Sequence, residues 1–214
     1  MLNSSLKLAR NFLLGGIMFW AVPAPAQEVM PDVLVKNVTL EVIDIIRKDK
    51  EIQAGDQKKV IDLIETKVLP HFNFSSMTGL ALGTNWPKAT ADQKKQLMQE
   101  FRTLLVRTYA SALSSYRDQK FDFLPLRLKP TDTDVTVQVR VLQSGSQPVT
   151  IDYSMEKTAA GWKVYDIVVG GVSLVANYRT DFANQVRETG IEGLIKTLAA
   201  KNRSNASSAR AEKK

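Results

Sequence analysis

The first half of the chain repeats apolar residues three and four positions apart, which is the spacing of one buried helix face. Residues 32–50 show this spacing and predict a first helix, with Val35, Val38, Val42, Ile45 and Ile46 as its apolar stripe. Asp56, which follows Gly55, is placed to N-cap a second helix. The stripe of that helix consists of Val60, Ile61, Ile64 and Val68. Pro70 ends it, because proline disfavours helix in the residue before it.

Residues 73–82 are predicted as a short third helix closed by Gly83, and the longest helix of the chain follows it. Thr90 and Gln93 form a capping-box pattern, in which each side chain satisfies a backbone group at the helix start. Apolar residues then recur every three or four positions as far as Tyr116. This pattern predicts a helix of about 27 residues and roughly 40 Å.

Beyond Gln119 the apolar period changes from helical spacing to strict alternation, which indicates β-strands. One strand alternates on Val135, Val137, Val139 and Val141, and the next on Val149, Ile151, Tyr153 and Met155. Residues 143–147 and 159–161 form the turns between strands, so the strands make an antiparallel meander. Residues 121–128 are predicted to form a fourth strand, at the start of the meander.

The strand over residues 162–169 carries apolar groups on both faces, so we expect it to be covered on both sides or to line a cavity. Gly170 and Gly171 break it, and Ser173 is suited to cap a helix over residues 174–189. Gly190 ends that helix, and residues 191–200 form the last one. The predicted fold is therefore α+β, a twisted antiparallel sheet of about four strands covered by several helices. It resembles the nuclear-transport-factor and cystatin type, with an apolar cavity between sheet and helices.

The first 26 residues have the three parts of a secretory leader, namely basic Lys7 and Arg10, an apolar run over 12–22, and small residues before a cleavage point after Ala26. The apolar run has about half the 20 residues that a membrane-spanning helix needs. We therefore expect a soluble, exported product whose single domain covers residues 27–201.

A basic tail explains most of the net charge of +7. The leader removes two positive charges, and residues 201–214 carry a net +4, which leaves about +1 for the body. A nucleic-acid-binding protein carries its basic groups on the folded body. We therefore predict no nucleic-acid partner, and a disordered tail over residues 202–214.

Residues suited to catalysis or metal binding are few in this sequence. The chain has no cysteine and one histidine, His71, which excludes disulfides, thiolate chemistry and a zinc site of several N or S ligands. No nucleophile elbow, P-loop or dinucleotide-binding glycine motif is present. His71 is interpreted as a capping or surface group. We predict no catalytic residues, no metal and no cofactor.

Two further features each allow a functional and a structural interpretation. Asp166 lies in an apolar strand, where a carboxylate can serve as a general base or form an ion pair with Arg179. The run from Gly170 to Ser173 could cradle a phosphate at a helix N-terminus or simply turn the chain. The structural interpretation is favoured for both.

Two ordered sets of motifs resemble the MlaC (toluene-tolerance) family of periplasmic phospholipid-binding proteins. The first runs from Val68-Leu-Pro-His-Phe-Asn-Phe74 through Leu80-Ala-Leu-Gly83 and Trp86-Pro-Lys-Ala-Thr90 to Phe101 and Arg107-Thr-Tyr109. The second runs from Trp162-Lys-Val-Tyr-Asp-Ile167 through Gly171-Val-Ser173, Tyr178-Arg179 and Phe182 to Gly190-Ile-Glu-Gly-Leu194. Together they cover about residues 30–200.

The resemblance implies a monomeric periplasmic carrier that does no chemistry on its cargo. Such a carrier moves phospholipid between an outer-membrane lipoprotein and porin complex and an inner-membrane ABC transporter, which maintains outer-membrane lipid asymmetry. Two acyl chains need a cavity on the order of 1,000 Å³. The head group could remain in water, which gives little head-group selectivity.

Apolar residues on facing elements are the candidates for the cavity lining. From the helices we predict Leu80, Leu105, Tyr109, Val175 and Phe182, and from the sheet Val137, Val139, Ile151, Tyr153, Ile167 and Val169. Strand alternation alone does not decide which phase faces the helices.

Two other functions stay open at this point. One is an enzyme of the nuclear-transport-factor type with Asp166 as a base acting on a small apolar substrate. The other is an envelope interaction protein with a solid core, whose basic tail contacts anionic membrane.

Overall fold

The computed structural model describes residues 29–114, 116, 118–143 and 145–211. The predicted leader lies outside them. Helix α1 (Pro31–Lys48) confirms the first predicted helix. A single turn, α2 (Lys50–Gln53), leads to α3 (Gln57–Leu63), and the predicted N-cap Asp56 accepts a hydrogen bond from the Lys58 amide at 2.9 Å.

The second predicted helix does not stay regular as far as Pro70. After Leu63 the chain forms a π-helical turn, Ile64–Val68, and then a 3₁₀ turn, Leu69–His71, which contains Pro70. The Thr66 hydroxyl donates to the Asp62 carbonyl at 2.7 Å, a side-chain bond that competes with helix hydrogen bonding.

Helix α4 (Phe74–Leu82) begins and ends as predicted. Asn73 caps it by accepting from the Ser75 amide at 3.1 Å, and Gly83 closes it with a φ of 54°. The Asn73 amide also donates to the Val164 carbonyl at 2.8 Å. This bond attaches the start of α4 to the edge of the sheet. A 3₁₀ turn, Gly83–Lys88, leads on to the long helix.

The long helix α5 (Ala91–Ser114) has 24 residues and begins at the predicted capping box. The Thr90 amide donates to Gln93 Oε1 at 3.0 Å, and the Gln93 amide donates to Thr90 Oγ1 at 3.2 Å. Two orphan backbone donors are satisfied in this way.

The sheet is an antiparallel meander whose five strands lie side by side in chain order. They are β1 (Lys120–Phe123), β2 (Asp134–Leu142), β3 (Val149–Thr158), β4 (Gly161–Val169) and β5 (Val172–Ser173). The meander confirms the predicted fold class. The structure has one strand more than predicted, the short β5, and its β1 is shorter than the predicted strand over residues 121–128.

A β-bulge explains why the apolar residues of β4 do not follow a single alternating pattern. The register of β3 and β4 shifts between Ser154 and Met155, so that Met155 pairs with Val164 and Tyr153 pairs with Ile167. Two residues, Tyr165 and Asp166, lie between those partners instead of one. The bulge thus keeps Val164 and Ile167 on one face of the sheet and places Asp166, paired with Ser154, on the other.

The run from Gly170 to Ser173 is a hairpin turn rather than a helix start. Val169 pairs with Val172, and both glycines between them have positive φ, 55° and 84°. A two-residue turn of this kind needs positive φ at both positions, which glycine adopts without strain. Of the two interpretations of this run, phosphate binding and a turn of the chain, the structure shows the turn.

The C-terminal helix starts later and ends later than predicted. Ser173 Oγ accepts from the Ala176 amide at 2.7 Å, and this caps a 3₁₀ turn, Ala176–Tyr178, ahead of α6 (Arg179–Ala211). Gly190 breaks α6 with a φ of 73° and a ψ of 177°, as predicted.

The predicted boundary at residue 201 falls inside α6. Asn202, assigned to the tail, is 5% exposed, and its amide donates to the Glu100 carbonyl at 2.9 Å and to the Glu100 carboxylate at 2.7 Å. Arg107 donates to the Asn202 carbonyl. Asn202 therefore belongs to the folded body. Among the described residues, no helix combines the length and apolar character needed to cross a membrane.

Three apolar cores hold the elements together. The first joins α4, α5 and α6, the second joins α1, α3 and α5, and the third joins α1 to the sheet. Helix α5 takes part in two cores, through Phe101 and Leu104 on one side and Val106 and Ala110 on the other.

Asp166 fastens β4 to the segment that leads into α6. It is 6% exposed and accepts from the Ile167 amide at 2.8 Å, the Ser173 hydroxyl at 2.6 Å and the Val175 amide at 3.3 Å. We expect Asp166→Ala to lower the free energy of unfolding by about 2 to 3 kcal/mol, because it leaves buried donors without an acceptor. Asp166→Asn keeps one acceptor and should cost about 1 kcal/mol.

Denaturant unfolding measures both losses. Asp44→Ala is the control, because Asp44 forms only an exposed ion pair with Lys48 and should cost about 0.5 kcal/mol or less. Equal stabilities for Asp166→Ala and Asp44→Ala would show that the Asp166 hydrogen bonds are not structural.

Candidate functional site

An apolar cavity lies between α1 and the sheet. Helix α1 crosses the sheet face, and its inward residues recur at helical spacing, so that one stripe forms a wall of the cavity. This stripe consists of Leu34, Val35, Val38, Thr39, Val42, Ile43 and Ile46.

The opposite wall is formed by alternate residues of neighbouring strands. Successive side chains of a strand point to opposite faces, so every second residue of β3 faces the cavity. The strand residues on this wall are Phe121, Val141, Val149, Ile151, Tyr153, Met155, Val164 and Ile167.

The remaining sides are closed by the turns after α3 and by the end of α5. Val68, His71 and Phe72 lie on one side, and the other side is formed by Ala112, Leu113, Tyr116, Gln119 and Gln143. The volume is about 490 Å³, within the range of small-molecule sites.

Exposure along the cavity defines a floor and a mouth. Met155 and Val164 are 0% and 3% exposed, whereas Val149 is 43% exposed. The cavity therefore opens at the hairpin between β2 and β3, beside the end of α5. Val149 and Met155 are six residues apart on β3, or roughly 20 Å at the rise of a strand.

Polar groups in the cavity are few and uncharged. No lining residue among those described carries a carboxylate, an ammonium or a guanidinium group. Thr39 of α1 and Tyr153 of β3 bring hydroxyl groups to this lining. Burial raises the pKa of Tyr153, so its phenol stays neutral. This lining excludes ions and favours aliphatic chains.

His71 is the one imidazole along the cavity. Burial lowers its pKa, the charge of Lys163 adds to that effect, and Glu41 opposes it. The neutral ring is therefore favoured near pH 7. The interpretation of His71 as a cap or surface group is wrong in one respect, because the side chain is half-buried and borders the cavity.

Three of the predicted lining residues, Ile151, Tyr153 and Ile167, lie along the cavity. Val139 is paired with Ile151 and Val137 with Tyr153, so the predicted strand phase faces α1. Val137 and Val139 are nevertheless close-packed at 2% and 0% exposure, in the core that joins α1 to the sheet. Val169 pairs with Ile151 but does not reach the cavity.

The predicted lining residues outside the sheet lie elsewhere. Leu105, Val175 and Phe182 belong to the core between α4, α5 and α6, with Leu80 and Tyr109 packed against it. Burial raises the pKa of Tyr109 to about 12, with a smaller contribution from the neighbouring Tyr178. Helix α5, which carries Leu105 and Tyr109, is buried on two sides, and an apolar stripe does not identify its partner.

The lining residues that the sequence prediction did not include are strand residues such as Val149 and Met155 and, most of all, the seven residues of α1. Their helical spacing marked a buried face, and four of the seven, Val35, Val38, Val42 and Ile46, were already assigned to the stripe of this helix. No local feature showed that this face borders empty space. Phe72 and Phe121 were missed for the same reason, since both also serve as core residues.

Asp166 lies away from the cavity. It pairs with Ser154 on the opposite face of the sheet, and its carboxylate is engaged by two backbone amides and the Ser173 hydroxyl. Arg179 does not pair with it but donates to the Leu80 carbonyl at 3.1 Å. The geometry does not support Asp166 as a general base in this cavity.

A family comparison agrees with the cavity. The family model described as MlaC protein matches residues 36–200, which span α1, the sheet and most of α6. The chain belongs to the MlaC family. The predicted resemblance is thereby confirmed.

Two curated proteins are similar in sequence to this MlaC-family chain. It is 23% identical over 171 residues to the intermembrane phospholipid transport system binding protein MlaC of Haemophilus influenzae, covering 78% of this chain and 80% of that one. It is 21% identical over 169 residues to toluene tolerance protein ttg2D of Pseudomonas putida, covering 78% of each.

A solved structure of a similar protein extends the comparison. The phospholipid-binding protein from Ralstonia solanacearum, solved in complex with a phospholipid, is 36% identical, with a TM-score of 0.77. The match covers 83% of this MlaC-family chain and 99% of that one.

The lowered pKa of His71 predicts a pH-dependent stability. Between the folded pKa and the unfolded value of 6.5, the unfolded chain binds more protons than the folded chain. The free energy of unfolding should therefore fall as pH drops below about 6.5. His71→Gln should lose this part of the pH dependence.

NMR titration of the chain's single imidazole measures the folded pKa directly, and denaturant unfolding of wild type and His71→Gln measures the linkage. The difference between the two proteins removes the contribution of carboxylates. An imidazole pKa at or above 6.5 would contradict the prediction.

Proposed function

We propose that this protein is a periplasmic phospholipid carrier that encloses acyl chain in its cavity and does no chemistry on the lipid. In this proposal it exchanges lipid with an outer-membrane complex and an inner-membrane ABC transporter. The observation that carries the proposal is an apolar cavity open at one end, in a chain that resembles a protein solved with phospholipid.

The energetics of the cavity support an aliphatic cargo. Each methylene moved from water to an apolar site gains about 0.8 kcal/mol. Apolar walls that stay in contact with water are unfavourable, so an aliphatic chain that covers the walls of this cavity of about 490 Å³ stabilises the protein.

The volume also bears on how much lipid enters. The cavity has about half of the 1,000 Å³ expected for two acyl chains. We infer that the cavity as it stands takes about one chain. A second acyl chain can enter the cavity only if α1 moves outward from the sheet. Otherwise that chain lies in the mouth. An ion pair between Lys67 and Glu41 at 2.5 Å ties α1 to the turn after α3, so an outward movement of α1 has to break or stretch this pair.

The absence of catalysis is part of the proposal. Lining residues with neutral, mostly hydrocarbon side chains provide no nucleophile with an adjacent base. Among the described residues, no group of three or more His, Cys, Asp or Glu side chains is arranged to hold a metal ion.

Denaturing extraction and lipid mass spectrometry test the proposal, together with the native-state mass of the protein purified from periplasm. We expect near-stoichiometric phospholipid. A protein that is empty and also takes no lipid from vesicles would contradict the carrier function. The envelope interaction function would then be favoured, with membrane binding that depends on residues 202–214.

Substitutions in the cavity test where the lipid lies. Ile151→Glu places a carboxylate in the apolar lining, so it should yield folded protein with at least about tenfold less bound lipid. Leu40→Glu is the matched control, because Leu40 is also on an apolar element but is 47% exposed. Native mass spectrometry gives the occupancy, and circular dichroism gives the fold.

Val139→Glu should behave differently from Ile151→Glu. The Val139 side chain is fully buried in a close-packed core, so we expect this variant to unfold rather than to lose lipid alone. Full lipid occupancy in folded Ile151→Glu would show that the lipid lies outside this cavity.

A further inference from the structure

An exposed arginine, Arg47, lies beside residues of the cavity wall. Arg47 is in the last turn of α1, directly after Ile46, which lines the cavity. Its Nη2 donates to the Tyr116 hydroxyl at 2.6 Å, and its guanidinium carbon is 5.6 Å from the centroid of the Tyr116 ring. Tyr116 itself lines the cavity, so this contact bridges α1 and the segment after α5.

Within the described part of the chain, the guanidinium group of Arg47 contacts a phenol and no carboxylate. Two nearby cations do have acidic partners, Lys48 with Asp44 at 2.6 Å and Lys59 with Asp49 at 3.0 Å. Arg47 belongs to none of the ion pairs between described residues and instead donates to a neutral phenol. A guanidinium group has five N–H donors, so most of them are free to bind an anion.

Two uncharged polar residues also lie near the mouth, beside the apolar Val149. Gln119 and Gln143 line it, and the Tyr116 hydroxyl donates to the Gln119 carbonyl at 3.3 Å. Below these groups the walls become apolar, from Ile151 down to Met155. A ligand that fits both regions has an aliphatic chain and an anionic group at the end of that chain.

We propose that Arg47 is a phosphate-binding residue that holds the phosphodiester of a lipid whose chain lies in the cavity. This inference rests on the proposed carrier function and adds a specificity-determining residue to it. Guanidinium binds phosphate oxygens in a bidentate, charge-assisted manner, which a phenol cannot match. The phosphate replaces Tyr116 as the partner of Arg47. Because all glycerophospholipids share this group, the site selects phospholipid over neutral lipid without selecting among head groups.

A competition experiment tests this residue. Delipidated protein is incubated with vesicles that contain equal amounts of phosphatidylethanolamine and diacylglycerol with the same acyl chains, and the bound lipids are extracted and quantified by mass spectrometry. Wild type should prefer phosphatidylethanolamine. Arg47→Gln should lower that preference roughly three- to tenfold, and Arg47→Lys should retain part of it, because a lysine keeps the charge but loses the bidentate geometry.

Two control variants separate binding from structure. Lys48→Gln removes a positive charge from the next position of the same helix, where Asp44 already neutralises it, and should leave the preference unchanged. Tyr116→Phe removes the hydroxyl that Arg47 contacts and should change the preference by about twofold at most. If Tyr116→Phe lowers the preference as much as Arg47→Gln does, Arg47 acts only by joining two elements, and the proposal is overturned.

The source of the phosphate is tested separately. Phosphatidylethanolamine should raise the melting temperature of delipidated wild type more than that of Arg47→Gln, whereas inorganic phosphate should produce no Arg47-dependent shift. Equal, Arg47-dependent stabilisation by inorganic phosphate would overturn the assignment to a lipid. The preference should also weaken at high salt, because an exposed charge is screened.

The outcome also distinguishes this inference from the function on which it rests. A wild type that takes up neither lipid contradicts the carrier function itself. A wild type that takes up both lipids, with a preference that Arg47→Gln leaves unchanged in a protein of equal melting temperature, contradicts only the role of Arg47.

Discussion

The apolar space between α1 and the sheet, which the protein's own side chains leave unfilled, is the constraint on which the structure depends. Side chains that line this space of about 490 Å³ lack packing partners on the cavity side, so close-packed cores elsewhere must hold the fold together. Two such cores flank the cavity, one between α1, α3 and α5 and one between α1 and the sheet. A third core between α4, α5 and α6 stands apart from the cavity and gives stability that is independent of its contents.

The edge of the sheet along β4 is covered by two neighbouring segments. The outer edge of β4 pairs with β5 at one end and receives the Asn73 amide at the other, so few of its backbone groups are left for another chain. The bulge in the pairing of β3 and β4 then turns Ile167 toward the cavity and Asp166 toward the start of α6. Strand β4 thereby lines the cavity on one face and holds the segment that leads into α6 on the other.

The sequence predicted elements well and their partners less well. Caps at Asp56, Asn73 and Thr90 are local interactions, so the helix starts that they mark were found correctly. Alternation in the strands left two phases open, and in the structure Ile151, Tyr153 and Ile167 face the cavity. The lining was only partly found, because a buried stripe has the same spacing whether it borders another side chain or open space. Leu105 and Val42 differ in this respect only through the three-dimensional packing of α5 and α1.

A cavity of this kind gives a passive carrier its properties, given the proposed function. Its lining provides hydrocarbon contacts similar to those of a bilayer, so a chain that enters or leaves exchanges one apolar environment for another at little net cost. The described lining has no charged group that could couple this exchange to ion movement or to nucleotide hydrolysis. Net direction must then come from outside the cavity. In the proposed function, the partners that load and unload the protein would set the direction, and the protein would lower the barrier that water presents to the lipid.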